Sequence, residues 1–135
     1  EDNPHNIYYN PRNRFTAQFI GSPPMNILPV EGTGAEFGFR PEKVTFSYQE
    51  PTAYLRGKAR IITREMLGSE TIYKLRIDNK ILMVKSLSDF YQPDSEIFFG
   101  VEKEDILLFD ELQIRIPDSD PRYCELLGKI GGRQA

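Results

Sequence analysis

Thr71-Ile72-Tyr73-Lys74-Leu75-Arg76-Ile77-Asp78-Asn79-Lys80-Ile81-Leu82-Met83-Val84 is the stretch on which the fold turns. Thr71, Tyr73, Leu75 and Ile77 alternate with Ile72, Lys74 and Arg76, the period of two that sets strand side chains on opposite faces. Asp78, Asn79 and Lys80 make a turn-prone break. The apolar run Ile81 to Val84 beyond it predicts the return strand of a hairpin. Working outward, Val44, Phe46 and Tyr48 alternate with Lys43, Thr45 and Ser47, and Lys58 to Met66 reads as a further strand. Glu96 to Val101, Ile106 to Phe109 and Leu112 to Ile116 follow, divided by turn signals at Gln92-Pro93-Asp94 and Asp110-Glu111. Short strands with short polar connections and no long helix between them predict a mainly β fold, an antiparallel barrel or sandwich.

The two ends read differently. Asn3-Pro4 and Asn10-Pro11 each set an Asn N-cap before a proline at the first helical position, which predicts short N-terminal helices. The second runs to Ile20 and stops at Gly21, before Ser22-Pro23-Pro24. Phe15 and Phe19 share one face of it, an apolar stripe that must dock on the following domain or on a preceding one. Pro117 to Ala135, with Asp118-Ser119-Asp120-Pro121 and Gly131-Gly132, is expected to be a partly ordered tail that adds little core.

Composition excludes several classes. The chain has 135 residues, 39% of them hydrophobic, which suits one domain with a modest core. Lys+Arg 17 against Asp+Glu 20 leaves a net charge of −3, so no strong positive field exists to hold nucleic acid or an anionic membrane. Apolar runs such as Ile106 to Phe109 fall far short of the ~18 residues of a membrane span, and the expectation is a soluble chain. One cysteine, Cys124, and one histidine, His5, exclude an internal disulfide and a zinc site of several Cys and His ligands. Glu1 to Asn6 carries neither the basic segment nor the apolar run of a secretion signal, so the simplest expectation is a protein that stays in the cell.

Motifs that could carry chemistry are near misses. The loop Gly32-Thr33-Gly34-Ala35-Glu36-Phe37-Gly38 opens a strand, whereas a phosphate cradle opens a helix, and it lacks the Gly-Lys-Ser/Thr ending. It reads as a connector. Glu102, Glu104 and Asp105 form the densest carboxylate group, but general acid–base work needs a dry pocket, and a solvated turn is expected. Cys124 has no neighbouring histidine to activate it, and His5 is expected at the surface. Seven tyrosines and nine phenylalanines could stack on bases, yet without a basic groove they are expected in core or interface.

Several segments, in order, resemble the C-terminal regulatory part of ATP-binding subunits from sugar-importing ABC transporters. Ile7-Tyr8, Asn10 to Phe15 and Ala17 to Val30 resemble the exit helix of the ATPase domain and the entry to an accessory domain. Gly38-Phe39-Arg40-Pro41-Glu42 is similar to the family's Gly-Ile/Val-Arg-Pro-Glu signature, Leu67-Gly68-Ser69-Glu70-Thr71 to its second hallmark, and Leu108-Phe109-Asp110 to its closing strand. The resemblance implies a transport-associated domain of the oligonucleotide/oligosaccharide-binding (OB) type. Residues 1–22 would then be the end of the ATPase domain and linker helices, 23–117 the regulatory domain, and 118–135 the tail.

The resemblance also implies a role. The chain would be a fragment, without catalysis or cofactor of its own, of a subunit that binds ATP and magnesium upstream and drives solute uptake. Its partners would be a second copy of itself, its own ATPase domain, the permease subunits and a regulatory protein, with no nucleic acid, and it would sit on the cytoplasmic side of the membrane. The alternative on the same fold is a module that senses a small ligand or oxyanion. The residues carried over are Gly21, Ser22, Pro23 and Asn26, then Gly38, Arg40, Pro41 and Glu42, then Leu67, Gly68, Glu70 and Phe109. Phe15 and Phe19 are the candidate interface. Gly21, Gly38 and Gly68 are expected to serve as C-cap, strand entry and turn, and Arg40 to pair with Glu70. Only Val30 to Phe39 stand where the family has several tens of residues, so Leu112 to Ile116, or another subunit, is expected to complete the sheet.

Overall fold

Nine strands in two antiparallel sheets form the framework of the computed structural model, which describes residues 23–87 and 91–130. In chain order they are β1 (Asn26–Pro29), β2 (Glu36–Phe39), β3 (Thr45–Ser47), β4 (Leu55–Leu67), β5 (Glu70–Ile77), β6 (Lys80–Ser86), β7 (Glu96–Val101), β8 (Leu107–Phe109) and β9 (Arg115–Ile116). Helix α1 (Pro121–Ile130) follows, and single 3-10 turns stand at Pro41–Lys43 and Lys103–Asp105. One sheet runs β1-β2-β8-β9 and the other β3-β7-β4-β5-β6. The class is the one read from the sequence, mainly β with an OB-like antiparallel arrangement. The expected N-terminal helices, with Phe15, Phe19, Gly21 and Ser22, lie outside the described residues.

The hairpin that anchored the sequence reading is β5–β6, paired from Thr71↔Ser86 to Ile77↔Lys80. Asp78 turns it with φ 55, a left-handed conformation that Asp tolerates better than most residues. Tyr73, Leu75 and Ile77 face the core while Lys74 and Arg76 are exposed. The preceding hairpin, β4–β5, closes from Leu67↔Glu70 over Gly68 (φ 66) and Ser69. Positive φ at the first loop position alone is the pattern of a type II′ turn, which suits the twist of the flanking strands.

Three expectations change. The strand around Val44, Phe46 and Tyr48 shrinks to Thr45–Ser47, because the Val44 N–H bonds back to the Pro41 carbonyl (3.4 Å) in the 3-10 turn. Leu112 to Ile116 becomes a two-residue strand, because the Asp110 carboxylate accepts the N–H groups of Leu112 (2.9 Å) and Ile114 (3.0 Å) and folds the first half into a turn. What remains joins β8 and extends the first sheet, as Phe109↔Arg115 and Leu108↔Ile116.

The supposed tail is the third correction. Asp120 caps a helix there, accepting the Arg122 N–H at 2.8 Å with Pro121 at the first position. Leu126, Leu127 and Ile130, at helical spacing, are buried in the main core. The Tyr54 hydroxyl, just before β4, donates to the Leu127 carbonyl at 2.8 Å. The segment therefore supplies core, in one cluster with Leu55, Phe99 and Leu108.

Candidate functional site

The signature residues divide into those that build the scaffold and those that reach its surface. Asn26 is buried at the edge of the first sheet, and its side-chain amide pairs with the backbone of Met83 on β6, the edge of the second. Gly38 on β2 lies opposite Ile27. A Cβ there would stand 2.7 Å from Met25 Sδ, 2.8 Å from Ile27 Cδ1 and 2.9 Å from the Asn26 carbonyl oxygen. Its role is close approach rather than strand entry. Phe109 on β8 is fully buried with Met25 and Leu107, against Ile27, so the first and last signature segments meet in one small cluster. Pro23, just before β1, is half-buried.

Arg40 is buried at the start of the 3-10 turn, with Pro41 buried and Glu42 half-buried after it. The expected tie from Arg40 to Glu70 is not formed. Glu70 stands across the β5–β6 pair from the Lys85 ammonium, 3.6 Å away. Leu67, Gly68 and Glu70 instead occupy the tip of the long β4–β5 hairpin, where Met66 and Leu67 are 56% and 53% exposed. Apolar side chains on a projecting tip suit contact with a partner surface.

The outward face of the second sheet gathers charge that the net balance hides. Lys58 and Arg60 on β4 share it with Lys74 and Arg76 on β5, and Arg60 stands directly opposite Arg76. Arg60 is held by the Asp94 carbonyl (2.7 Å) and Glu96 (3.5 Å), and Lys58 lies 5.6 Å from the Phe98 ring centroid.

Other ionisable groups are shifted by local causes. Burial raises the Asp105 carboxyl above its ordinary range, with Lys43 opposing. Burial lowers the Arg115 guanidinium and raises the Tyr123 phenol, the latter aided by Asp118. The Arg122 guanidinium grips the Asp120 carboxylate through two hydrogen bonds, at 3.1 and 3.0 Å, which lowers Asp120 and raises Arg122. Among the described residues no group of three or more His, Cys, Asp and Glu side chains is placed to hold a metal. The glycine loop does not suit a nucleotide phosphate. It runs into β2, and Thr33 turns it on itself by donating to the Val30 carbonyl (2.7 Å) and accepting from the Ala35 N–H (3.0 Å).

Sequence reasoning missed two features. Phe46 packs its ring against Tyr73 (4.8 Å between centroids) and Tyr91 (4.6 Å), and Tyr48 joins Tyr91 at 5.1 Å, half-exposed. Gly100 on β7 lets Pro51 and Ala53 lie on its backbone, where a Cβ would meet the Ala53 methyl at 2.8 Å. The Pro51-Thr52-Ala53 segment before β4 was a signal for neither.

Residues 37–109 match the family described as the TOBE domain. Over 96% of this chain, 30% of positions are identical to the maltose/maltodextrin import ATP-binding protein MalK of Vibrio parahaemolyticus, and the match covers 41% of that protein. The multiple sugar-binding transport ATP-binding protein MsmK of Streptococcus mutans is 28% identical over 70% of this chain and 34% of its own length. The sn-glycerol-3-phosphate import ATP-binding protein UgpC of Rhodopseudomonas palustris is 31% identical over 73% of this chain and 31% of its own length. This chain thus spans less than half the length of these relatives.

Proposed function

Because the chain belongs to the TOBE-domain family, we propose that it is the regulatory and dimerisation domain at the C-terminal end of the ATP-binding subunit of an ABC importer for sugars. The observation that carries this reading is the match of nearly the whole chain to less than half of an import ATP-binding protein. ATP and magnesium are then bound by a separate ATPase domain, with residues 1–22 leading out of it. This domain supplies surfaces and no catalytic group. The permease subunits position the assembly at the cytoplasmic face of the membrane, and no helix among the described residues is long and apolar enough to cross it. The β4–β5 hairpin tip supports a contact role, since Leu67–Glu70 resembles a family hallmark and the Met66 and Leu67 side chains are exposed.

Light scattering over a range of concentrations tests the association. The expected result is a dimer that dissociates on dilution, and Met66→Asp with Leu67→Asp shifts it to monomer without altering the circular dichroism spectrum. A monomer at every concentration would remove dimerisation from the reading. Incubated with ATP and magnesium, this chain is expected to release no phosphate.

A further inference from the structure

We propose that a cavity of about 400 Å³ between the two sheets and the end of α1 binds a small, free amphiphile with an anionic head group. The volume lies toward the lower end of the range of pockets that hold small ligands. Leu28, Phe37, Leu55, Phe99 and Ile130 form its apolar walls, each under 9% exposed. The cavity is open to solvent at its mouth, and these core side chains form its floor. Four of the five walls are borne by strands and the fifth by the helix, which holds the space open in a fixed shape.

The rim decides the head group. Lys80, at the start of β6, Lys129, in the last turn of α1, and Glu31 border the opening. Among the described residues none of the three has an oppositely charged partner, whereas Arg56, Arg60, Lys85 and Arg122 all pair with carboxylates. Two ammonium groups against one carboxylate leave the rim positive over an apolar pocket. A chain-like or ring-like apolar body fits the walls, and an anionic head fits the two lysines, held away from Glu31. A sugar does not suit the apolar side of this lining, because Leu28, Phe37, Leu55, Phe99 and Ile130 offer its hydroxyls no side-chain donor or acceptor on leaving water. The site is therefore separate from the solute of the proposed importer, and the proposal stands or falls apart from dimerisation.

The test is an amide-resolved NMR titration of the full chain with octanoate and, in parallel, 1-octanol. Octanoate is expected to shift Leu28, Phe37, Leu55 and Phe99 and to bind at least about ten-fold more tightly than 1-octanol. The double variant Lys80→Gln, Lys129→Gln is expected to abolish that difference while keeping its melting temperature. Phosphatidylglycerol vesicles are expected to leave these amides unshifted, since the pocket is sized for a free chain. Equal binding of acid and alcohol, shifts confined to the Lys58 and Arg76 face, shifts caused by vesicles, or no shifts at all would each overturn the proposal.

Discussion

Asn26 and Met83 form the tie between the two sheets: Oδ1 of the asparagine accepts the Met83 N–H at 2.7 Å and its Nδ2 donates to the Met83 carbonyl at 2.9 Å. A side-chain amide here does what a neighbouring strand's peptide would do in a closed ladder. It also satisfies an edge that would otherwise seek another strand. A second contact, 3.4 Å from Nδ2 to the Phe39 carbonyl, fixes the amide from the β2 side.

Removing this tie strands polar groups. Asn26→Ala is expected to cost about 1–3 kcal/mol, the penalty for leaving buried donors and acceptors unpaired, read as a lower urea midpoint. Asn26→Asp keeps the acceptor for Met83 N–H but presents an oxygen to the Met83 carbonyl. Near neutrality it is expected to be no better than alanine, and to recover on acidification as the protonated carboxyl regains a donor. Wild-type stability in both variants would refute the tie.

Two glycines predict opposite signs. Gly38→Ala places a methyl within 3 Å of Met25, Ile27 and the Asn26 backbone, and is expected to destabilise by about 1–3 kcal/mol. Gly128 lies inside α1 with open space around its Cβ direction, so Gly128→Ala is expected to stabilise by about 0.4–1 kcal/mol. Thermal denaturation of the two single variants reads both signs.

Two carboxylates pull the pH dependence in opposite directions. Asp120 is held below its ordinary 3.8 by the hydrogen bonds from Arg122. Its proton binds more weakly in the folded state, so its contribution is fully present above 3.8 and is lost as the pH falls through the lower folded value. Asp105 is raised by burial. Its stabilising contribution is fully present below 3.8 and is lost as the pH rises through the higher folded value. From about pH 3 to about pH 7, Asp120→Asn is expected to flatten the rise of stability and Asp105→Asn to steepen it, by urea unfolding.

Docking of α1 uses the Tyr54 hydroxyl and the buried Leu126, Leu127 and Ile130, with Tyr123 packed beside them and Arg122 3.7 Å from the Asp110 carboxylate. Tyr54→Phe is expected to cost about 0.5–1.5 kcal/mol by losing the bond to the Leu127 carbonyl. Leu127→Ala is expected to cost about 2–5 kcal/mol by leaving a cavity. Hydrogen exchange should show the Leu126 to Ile130 amides losing protection in Tyr54→Phe before those of β5. Uniform loss across both would mean that the helix does not open separately.

Strands β4 to β7 were legible because alternation and turn chemistry act within a few residues, and Asp78 and Gly68 turn the chain where their residue types allow it. The helix was hidden because Asp120-Pro121 reads equally as a turn and as an N-cap. Only docking of Leu126, Leu127 and Ile130 decides between the two. The pairing of Arg40 with Glu70 failed because opposite charge says nothing of distance, and Lys85, opposite Ile72 on the neighbouring strand, is the cation that reaches Glu70.

By itself the sequence determined the mainly β class, the β5–β6 hairpin and the order of signature segments, since each depends on the local period, on turn residues or on short matched stretches. The tertiary structure alone decided how the sheets join, why residue 38 must be glycine, that the last helix belongs to the core and that a lysine-rimmed cavity opens beside it. Those features depend on contacts between residues far apart in the chain, 57 positions for Asn26 with Met83 and 73 for Tyr54 with Leu127. No local pattern encodes such a distance, because it exists only once both sheets have packed.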